Sequence, residues 1–389
     1  MGVRSKTLGE LVTIKTGKLN ANAAVEGGKY PFFTCSKEIF AIDDFAFDCE
    51  AILLAGNNAV GDFNVKHYKG KFNAYQRTYV ITINDENEIL YPFLYLQIQL
   101  ALKRFKEQSV GAGTKFLKIG MINELPISVL NLEEQKRIVA ILNQAFADIE
   151  QARAKTEQNL KNARELFESY LQQVFSQRKE GWEERKWGDV CQFVRGPFGG
   201  SLKKSMFKEE GFAIYEQKHA IHDHIEQIRY FIDDQKFEEM RRFEVKPGEL
   251  IMSCSGVTLG RVSVIPEGAP EGIINQALLK LAPNEDINIH FLKYWVRSKI
   301  FQDIIFEHSG GAAIPNVPAA KILKEITLLI PSLERQSATV NEIDSVLAET
   351  NKVSNIYKRK IESLDELKKS ILQKAFSGEL TKEKEGAVA

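Results

Sequence analysis

The chain has little of what catalysis or membrane insertion leaves in a sequence. Its 389 residues include four cysteines, six histidines and three tryptophans. Cys35, Cys49, Cys191 and Cys254 nowhere form C-x-x-C, so no zinc knuckle or dithiol pair is written here. Three of them sit among apolar, strand-like residues and read as free core thiols, the usage of a reducing cytoplasm. No apolar run approaches the roughly 18 residues of a membrane span. The opening Met1-Gly-Val-Arg-Ser-Lys has no hydrophobic segment of signal-peptide length. No G-x-x-x-x-G-K-[ST] phosphate loop occurs. Gly111-Ala-Gly113 lacks the third glycine of a dinucleotide loop and follows a helical pattern. There is no N-P-P-Y or D-P-P-F stretch of an amino-methyltransferase, and no acidic cluster arranged as a nuclease centre. Net charge is absent too: 52 basic residues face 52 acidic ones. That excludes a uniformly basic surface but not local basic faces inside a neutral total. A hydrophobic share of 44% and a charged share of 27% are globular values. The length allows two or three domains.

Two long stretches lack proline and glycine altogether, residues 131–176 and 332–377, and they are copies of one another. Leu132-Glu-Glu-Gln-Lys-Arg-Ile-Val answers Leu333-Glu-Arg-Gln-Ser-Ala-Thr-Val. Leu166-Phe-Glu-Ser-Tyr-Leu-Gln-Gln-Val-Phe-Ser176 answers Leu367-Lys-Lys-Ser-Ile-Leu-Gln-Lys-Ala-Phe-Ser377, with six of eleven positions identical. Both pairings hold at one offset of about 200 residues, which marks an internal repeat. Apolar or small residues recur at Ile138, Leu142, Ala145, Ile149, Ala152, Thr156, Ala163, Phe167, Tyr170 and Val174. In the second copy they recur at Val340, Ile343, Leu347, Thr350, Tyr357, Ile361, Leu364, Ile371 and Ala375. Spacings of three and four alternate, the seam of a coiled coil. About 45 residues make a rod of roughly 65 Å, and a rod with one apolar stripe needs a partner. The other copy, running antiparallel, is the expected one.

The globular segments repeat as well. Trp187-Gly-Asp-Val-Cys-Gln-Phe-Val-Arg-Gly answers Leu8-Gly-Glu-Leu-Val-Thr-Ile-Lys-Thr-Gly, and Glu249-Leu-Ile-Met-Ser-Cys-Ser-Gly answers Glu50-Ala-Ile-Leu-Leu-Ala-Gly. The expected class is α+β, two mixed α/β domains separated by an antiparallel coiled coil, with a pseudo-two-fold internal repeat. The expected boundaries are a domain over 1–130, a helix over 131–177, a linker over 178–184, a domain over 185–331, a helix over 332–380 and a disordered tail over 381–389. Between the shared frame elements, Lys66–Arg77 against Arg195–His224, the halves look dissimilar. One architecture with two different inserts suggests two readers of different things.

The segment Lys66 to Arg77 mixes cations, aromatics and amides, the chemistry of nucleic-acid contact. Its candidates are Lys66, Lys69, Lys71, Gln76 and Arg77, with Lys115 beside the glycine loop. In the other half they are Arg195, Lys203, Lys204, Gln217, Lys218, His219 and His222. Lysines and arginines neutralise phosphates, and Arg and Gln read base edges. The bland alternative for each cluster is a solvated face. His219-Ala-Ile-His222-Asp-His224 also admits a metal site, although its spacing fits neither a helical H-x-x-x-H pair nor a zinc finger. The glycine loops at 110–114 and 309–313 read either as turns or as backbone brought close to phosphate.

The ordered duplication resembles the specificity subunit of type I DNA restriction–modification systems. The residues that carry it are Gly111-Ala-Gly-Thr114, Leu125-Pro-Ile, Leu132-Glu-Glu-Gln-Lys-Arg-Ile-Val-Ala-Ile-Leu142, Gly310-Gly311, Ile330-Pro-Ser-Leu-Glu-Arg-Gln336 and Ile371-Leu-Gln-Lys-Ala-Phe-Ser-Gly378. The resemblance covers essentially the whole chain. It implies two target-recognition domains, each reading one half of a split site in double-stranded DNA. It implies a helix pair that sets the spacing and docks two methyltransferase subunits, with contacts expected at Glu134, Gln135, Arg335 and Gln336. It implies no catalytic residue, metal or cofactor in this chain. S-adenosylmethionine, ATP and magnesium would be used by the methyltransferase and restriction (motor–nuclease) subunits. One departure is the start of the second helix, Leu333-Glu-Arg-Gln-Ser-Ala-Thr-Val, more polar than the family's usual E-Q-x-x-I. A coiled-coil scaffold without DNA contact, and a nuclease or methyltransferase with an unrecognised site, are the rival readings.

Overall fold

The computed structural model describes residues 4–178, 180–198, 200–309 and 315–377. Gly310, Gly311, Gly378 and the expected tail at 381–389 lie outside the described residues. The chain divides into two compact units, Met1–Glu157 with Arg359–Ala389, and Gln158–Lys358. The division falls inside the two long helices and not at their ends.

Each globular body is closed at its root by pairing its first strand with its last. Arg4–Thr7 runs antiparallel to Pro126–Val129, with Thr7 opposite Pro126. Glu183–Lys186 runs antiparallel to Thr327–Ile330, with Lys186 opposite Thr327. A single helical turn follows the first strand in both, Leu8–Leu11 and Trp187–Val190. The Leu8 N–H donates to Leu125 O at 2.8 Å, and the Trp187 N–H donates to Ile326 O at 2.7 Å. The segment expected as a linker is partly built into the second body. Trp182 is buried, its ring 5.7 Å from Phe291, and Glu183 already belongs to the closing strand pair.

The first body holds a six-stranded sheet in the order Val12–Thr16, Thr78–Ile83, Phe47–Ala55, Val65–Ala74, Tyr30–Phe33, Phe40–Ile42. The run Ala51-Ile-Leu-Leu is apolar throughout because both faces of its strand are covered. Ile52 and Leu54 join Phe93, Leu94, Ile98 and Phe105 of the helix Tyr91–Gln108. Ala51 and Leu53 join Phe33, Phe72 and Val80 on the other side. Strand Val65–Ala74 carries Gly70 at φ +134°, a conformation that a side chain disfavours, in mid-strand.

The second body repeats this order in two four-stranded pieces. One is Cys191–Arg195, Leu278–Pro283, Leu250–Ser253, Val262–Val264; the other is Phe231–Ile232, Phe212–Tyr215, Gly272–Ile274, Glu244–Val245. Residues 265–271 interrupt the sheet where the first body has its continuous strand through Gly70. Parallel pairs match across the bodies: Phe33 opposite Ala74 corresponds to Tyr215 opposite Ile274. The inserts therefore share strand order beyond the frame, contrary to the sequence reading. The structural counterpart of Lys66–Arg77 is residues 263–277, not 195–224.

The two long helices run over Leu132–Ser176 and Leu333–Phe376. Asn131 caps the first, its Oδ1 accepting the Glu134 N–H at 2.9 Å. Every seam position read from the sequence is buried or half-buried. Within the first unit the pairing is antiparallel. Arg153 is ion-paired with Asp365, and Glu150 meets Lys368 at 2.7 Å. The Lys368 ammonium also stands 5.2 Å over the Phe146 ring. Within the second unit Leu171, Val174 and Phe175 share a core with Val340 and Ile343. All four cysteines are free, Cys191 and Cys254 buried, Cys35 and Cys49 half-buried. Among the described residues no helix is long and apolar enough to cross a membrane.

Candidate nucleic-acid interface

Strands Val12–Thr16 and Phe47–Ala55 both run antiparallel to Thr78–Ile83, which lies between them. The loops that follow them therefore leave at the same end of the sheet. Gly17 is held so close to the neighbouring chain that a Cβ there would stand 1.8 Å from Ala74 O. Asn57–Asn58 pairs antiparallel with Lys115–Phe116, and the Leu117 N–H donates to Gly56 O at 2.9 Å. The glycine loop is thereby tied down beside the strand ends. The Arg77 guanidinium packs over the Phe116 ring at 5.6 Å, and Gln76 Nε2 donates to Asn20 Oδ1 at 2.8 Å. Arginine and amides from three separate segments, with Phe116 from a fourth, thus meet at one end of the sheet.

The second body builds the same end from different side chains. A Cβ on Gly196 would stand 1.9 Å from Asn275 O, as for Gly17. Ser255 bridges to Asn316, and the Val317 N–H donates to Cys254 O at 2.8 Å. Asn316 thus occupies the place of Phe116. Arg195 Nη2 donates to Asn316 Oδ1 at 3.1 Å, and Gln217 Nε2 donates to Ser255 O at 2.6 Å. The arginine that packs against this bridged pair of segments arises from a non-equivalent position in each body. Arg77 precedes its central strand, whereas Arg195 ends an outer one.

Of the sequence candidates, the structure gathers Gln76, Arg77 and Lys115 in the first body and Arg195 and Gln217 in the second. Lys66 lies at the base of the first cluster, but its ammonium is committed internally. It donates to Ser36 O at 2.6 Å and to Asn64 Oδ1, and burial lowers its pKa. Lys69 lies an odd number of residues along the same strand and so emerges on the opposite face. There it pairs with Glu50 at 2.9 Å, which lifts its pKa, and Glu50 also meets His67. Lys71 is exposed, 4.6 Å over the Phe45 ring. The expectation that Lys66, Lys69 and Lys71 share one face with Gln76 and Arg77 fails on this alternation. In the second body Lys203, Lys204 and His222 are exposed. Lys218 Nζ donates to Gln227 O at 2.8 Å.

His219, expected at a DNA-facing surface, is instead buried. It is 1% exposed, its Nδ1 accepts the Glu216 N–H at 2.9 Å, and its ring stands edge-on to Tyr215. Burial, with the Lys218 ammonium beside it, lowers its pKa. It serves the core and not a surface. His222, Asp223 and His224 do not gather around it: Asp223 pairs with Lys293 and Arg297, both at 2.7 Å, and His224 with Glu226. Among the described residues no three His, Cys, Asp or Glu side chains cluster as a metal site.

Gln135 and Gln336, expected as partner contacts, are instead wholly buried. Each clasps its own globular body to its helix. Gln135 Oε1 accepts the Leu90 N–H at 2.9 Å, and its Nε2 donates to Glu88 O and Leu130 O. Gln336 Oε1 accepts the Asn288 N–H at 2.7 Å, and its Nε2 donates to Asp286 O and Pro331 O. Glu134, half-buried, and Arg335, exposed, remain on the first turns of the two helices. The sequence reading missed Asn20, Asn57, Ser255 and Asn316. Nearness to Gly17 could have flagged Asn20, to Gly56 Asn57 and to Gly256 Ser255, and no such signal points to Asn316.

The chain thus holds two copies of one fold, each presenting an amide- and arginine-lined strand end. The chain belongs to the type I restriction modification DNA specificity domain family, whose model matches residues 2–160 and again 179–363. It is 28% identical to the type I restriction enzyme EcoDI specificity subunit of Escherichia coli, over 96% of this chain and 88% of that one. It is 22% identical to the MjaVIII specificity subunit of Methanocaldococcus jannaschii, over 77% and 73% of the two chains. Its fold matches a chain of a solved type I R-M system with a TM-score of 0.76 at 18% identity, covering 97% and 98%. It also matches the HsdS subunit of Thermoanaerobacter tengcongensis with a TM-score of 0.58 at 17% identity, covering 97% of each chain.

Proposed function

We propose that this chain is the non-catalytic sequence-reading subunit of a type I restriction–modification complex, each body reading one half of a split site in double-stranded DNA. The observation that carries the reading is the corresponding pair of strand ends, built on one frame but lined with different side chains. Arg77, Gln76 and Asn20 face the first half-site; Arg195, Asn316 and Gln217 face the second. Lys115, and Lys203 with Lys204, supply phosphate contacts. The antiparallel helix pair sets the unread gap. Glu134 and Arg335, on equivalent first turns, sit where two methyltransferase subunits dock. Those subunits bring S-adenosylmethionine, and restriction subunits bring ATP and magnesium chemistry. The complex works in the cytoplasm.

The test is a domain exchange. Replacing residues 182–331 with the corresponding part of a related chain, and mapping methylated adenines, should change one half-site and leave the other and the gap intact. A hybrid that altered both half-sites would refute independent reading. Shortening both helices by two turns should change the gap and not the bases. Transfer of methyl groups to DNA by this chain alone would restore the enzyme reading.

A further inference from the structure

We propose that Phe198 is an aromatic wedge that enters the base stack of the second half-site; this rests on the DNA-reading function proposed above. Phe198 is 88% exposed, and among the described large apolar residues only Val257, at 90%, is more so. Burying a phenylalanine side chain yields about 1.5–3 kcal/mol, so full exposure of one at a loop tip forgoes a stabilisation that cores usually take.

The exposure is not looseness. Gly196 and Pro197 are buried, and the Gly196 N–H donates to Leu278 O at 2.9 Å. The Ser201 N–H turns back to Phe198 O at 2.9 Å, and Leu202 is buried with Ile214, Phe237 and Ile273. The described residues on both sides of Phe198 are anchored, and its ring stands exposed between them. Val257 stands on a second anchored loop. There the Gly256 N–H donates to Pro315 O at 2.9 Å, Leu259 is buried, and the Gly260 N–H donates to Ser253 O. The strands before these loops flank Leu278–Pro283 and run antiparallel to it. Both tips therefore leave at one end of the sheet, their strands two spacings or roughly 10 Å apart. Arg195 and its partner Asn316 lie at that end, and Lys203 and Lys204 are exposed just beyond the Phe198 turn.

An apolar ring flanked by guanidinium, amide and ammonium groups fits a ligand with charged edges and a flat apolar interior. Duplex DNA has that chemistry, and apolar side chains set among cations part base steps and kink the helix. The ring face can then stack on an unstacked base. At the position matching Phe198 the first body has Leu19, half-buried, two residues after Gly17 as Phe198 is after Gly196. The counterpart of Val257 is Val60, 68% exposed, on a turn pinned by Asn58 Oδ1. Only the second half-site should be parted.

The experiment uses the full chain assembled with its modification subunits, and a duplex selected from a random pool by that complex. 2-Aminopurine replaces successive bases other than the two methylated adenines and their stacking neighbours, which base flipping would also brighten. Fluorescence should rise several-fold at one step of the second half-site and nowhere in the first. Phe198→Ala should abolish that rise and weaken binding by about tenfold, with an unchanged unfolding midpoint because the ring is exposed. Phe198→Trp should preserve the signal. Tight binding with no rise, or a rise that survives Phe198→Ala, overturns the wedge and leaves the DNA-reading function standing. So does a Phe198→Ala loss that replacing thymine by uracil reproduces, which would mean a methyl contact. Loss of subunit assembly in Phe198→Ala would make the tip a protein contact and also overturn it. Selection of no duplex at all would remove the DNA-reading function itself.

Discussion

Gln135 reaches from the first long helix to the backbone of Leu90, and its amide closes three hydrogen bonds inside a buried seam. Gln336 makes the same three at Asn288, Asp286 and Pro331. A buried amide is stabilising only while every group is matched, since an orphaned buried donor or acceptor costs about 1–3 kcal/mol. Gln135→Met keeps the volume and orphans the Leu90 N–H and two carbonyls. Urea unfolding of this variant should show a loss of about 2–4 kcal/mol. Gln135→Glu should be worse, because a carboxylate would face two carbonyl oxygens. If both variants unfolded like the parent, the clasp would carry no weight.

The same glutamines show where sequence reading stops. Gln135 and Gln336 stand in the first turns of polar-looking helix starts, and nothing local distinguishes a clasp from a solvated amide. The rod was legible because its seam repeats over many turns, so each position is confirmed by its neighbours; Ile138 through Val174 all point inward. The basic cluster was not legible, because one strand sends alternate residues to opposite faces. Lys66 and Lys69 part company for that reason alone. Arg195 was found for its charge, but its partner Asn316 lies beyond a turn that no spacing predicts.

Seam depth ranks two further substitutions. Leu142 is fully buried in the first body's core, whereas Leu364 is only half-buried. Leu142→Asp should destabilise by about 4 kcal/mol or more, through an unpaired buried charge. Leu364→Asp should cost markedly less, because its carboxylate can reach water. Thermal unfolding that gave the reverse order would contradict this packing.

The two arginines should separate cleanly in binding. Arg77→Ala should relax base choice in the first half-site only, and Arg195→Ala in the second only, each by about 1–3 kcal/mol of discrimination. Methylation mapped on a library of variant sites reads both effects at once. An Arg195→Ala effect on the first half-site would break the assignment.

Lysines on different faces should differ in salt response. Lys115 sits beside the tied-down glycine loop, while Lys69 is paired with Glu50 on the opposite side of its strand from Lys66. Lys115→Ala should lower the slope of log K against log salt by about one unit, and Lys69→Ala should leave it unchanged. A lowered slope for Lys69→Ala would restore that residue to the interface.

His219 gives a pH dependence of opposite sign to the one its sequence suggests. Read as a surface residue, it would gain charge below neutrality and bind phosphate better. Buried, it resists the proton, because desolvation opposes the charged ring and the Lys218 ammonium adds to that, with Glu216 only partly offsetting. The unfolded chain takes up that proton near pH 6.5. The contribution is therefore complete above about pH 6.5 and is lost as pH falls from there towards the lower folded value. The urea midpoint of the second unit should fall between about pH 7.5 and pH 5.5, and His219→Asn should flatten that fall while lowering the midpoint at neutral pH. DNA affinity should show no low-pH gain assignable to His219. A gain that vanished on His219→Ala, with the folding midpoint flat across the same range, would place the ring at the surface after all.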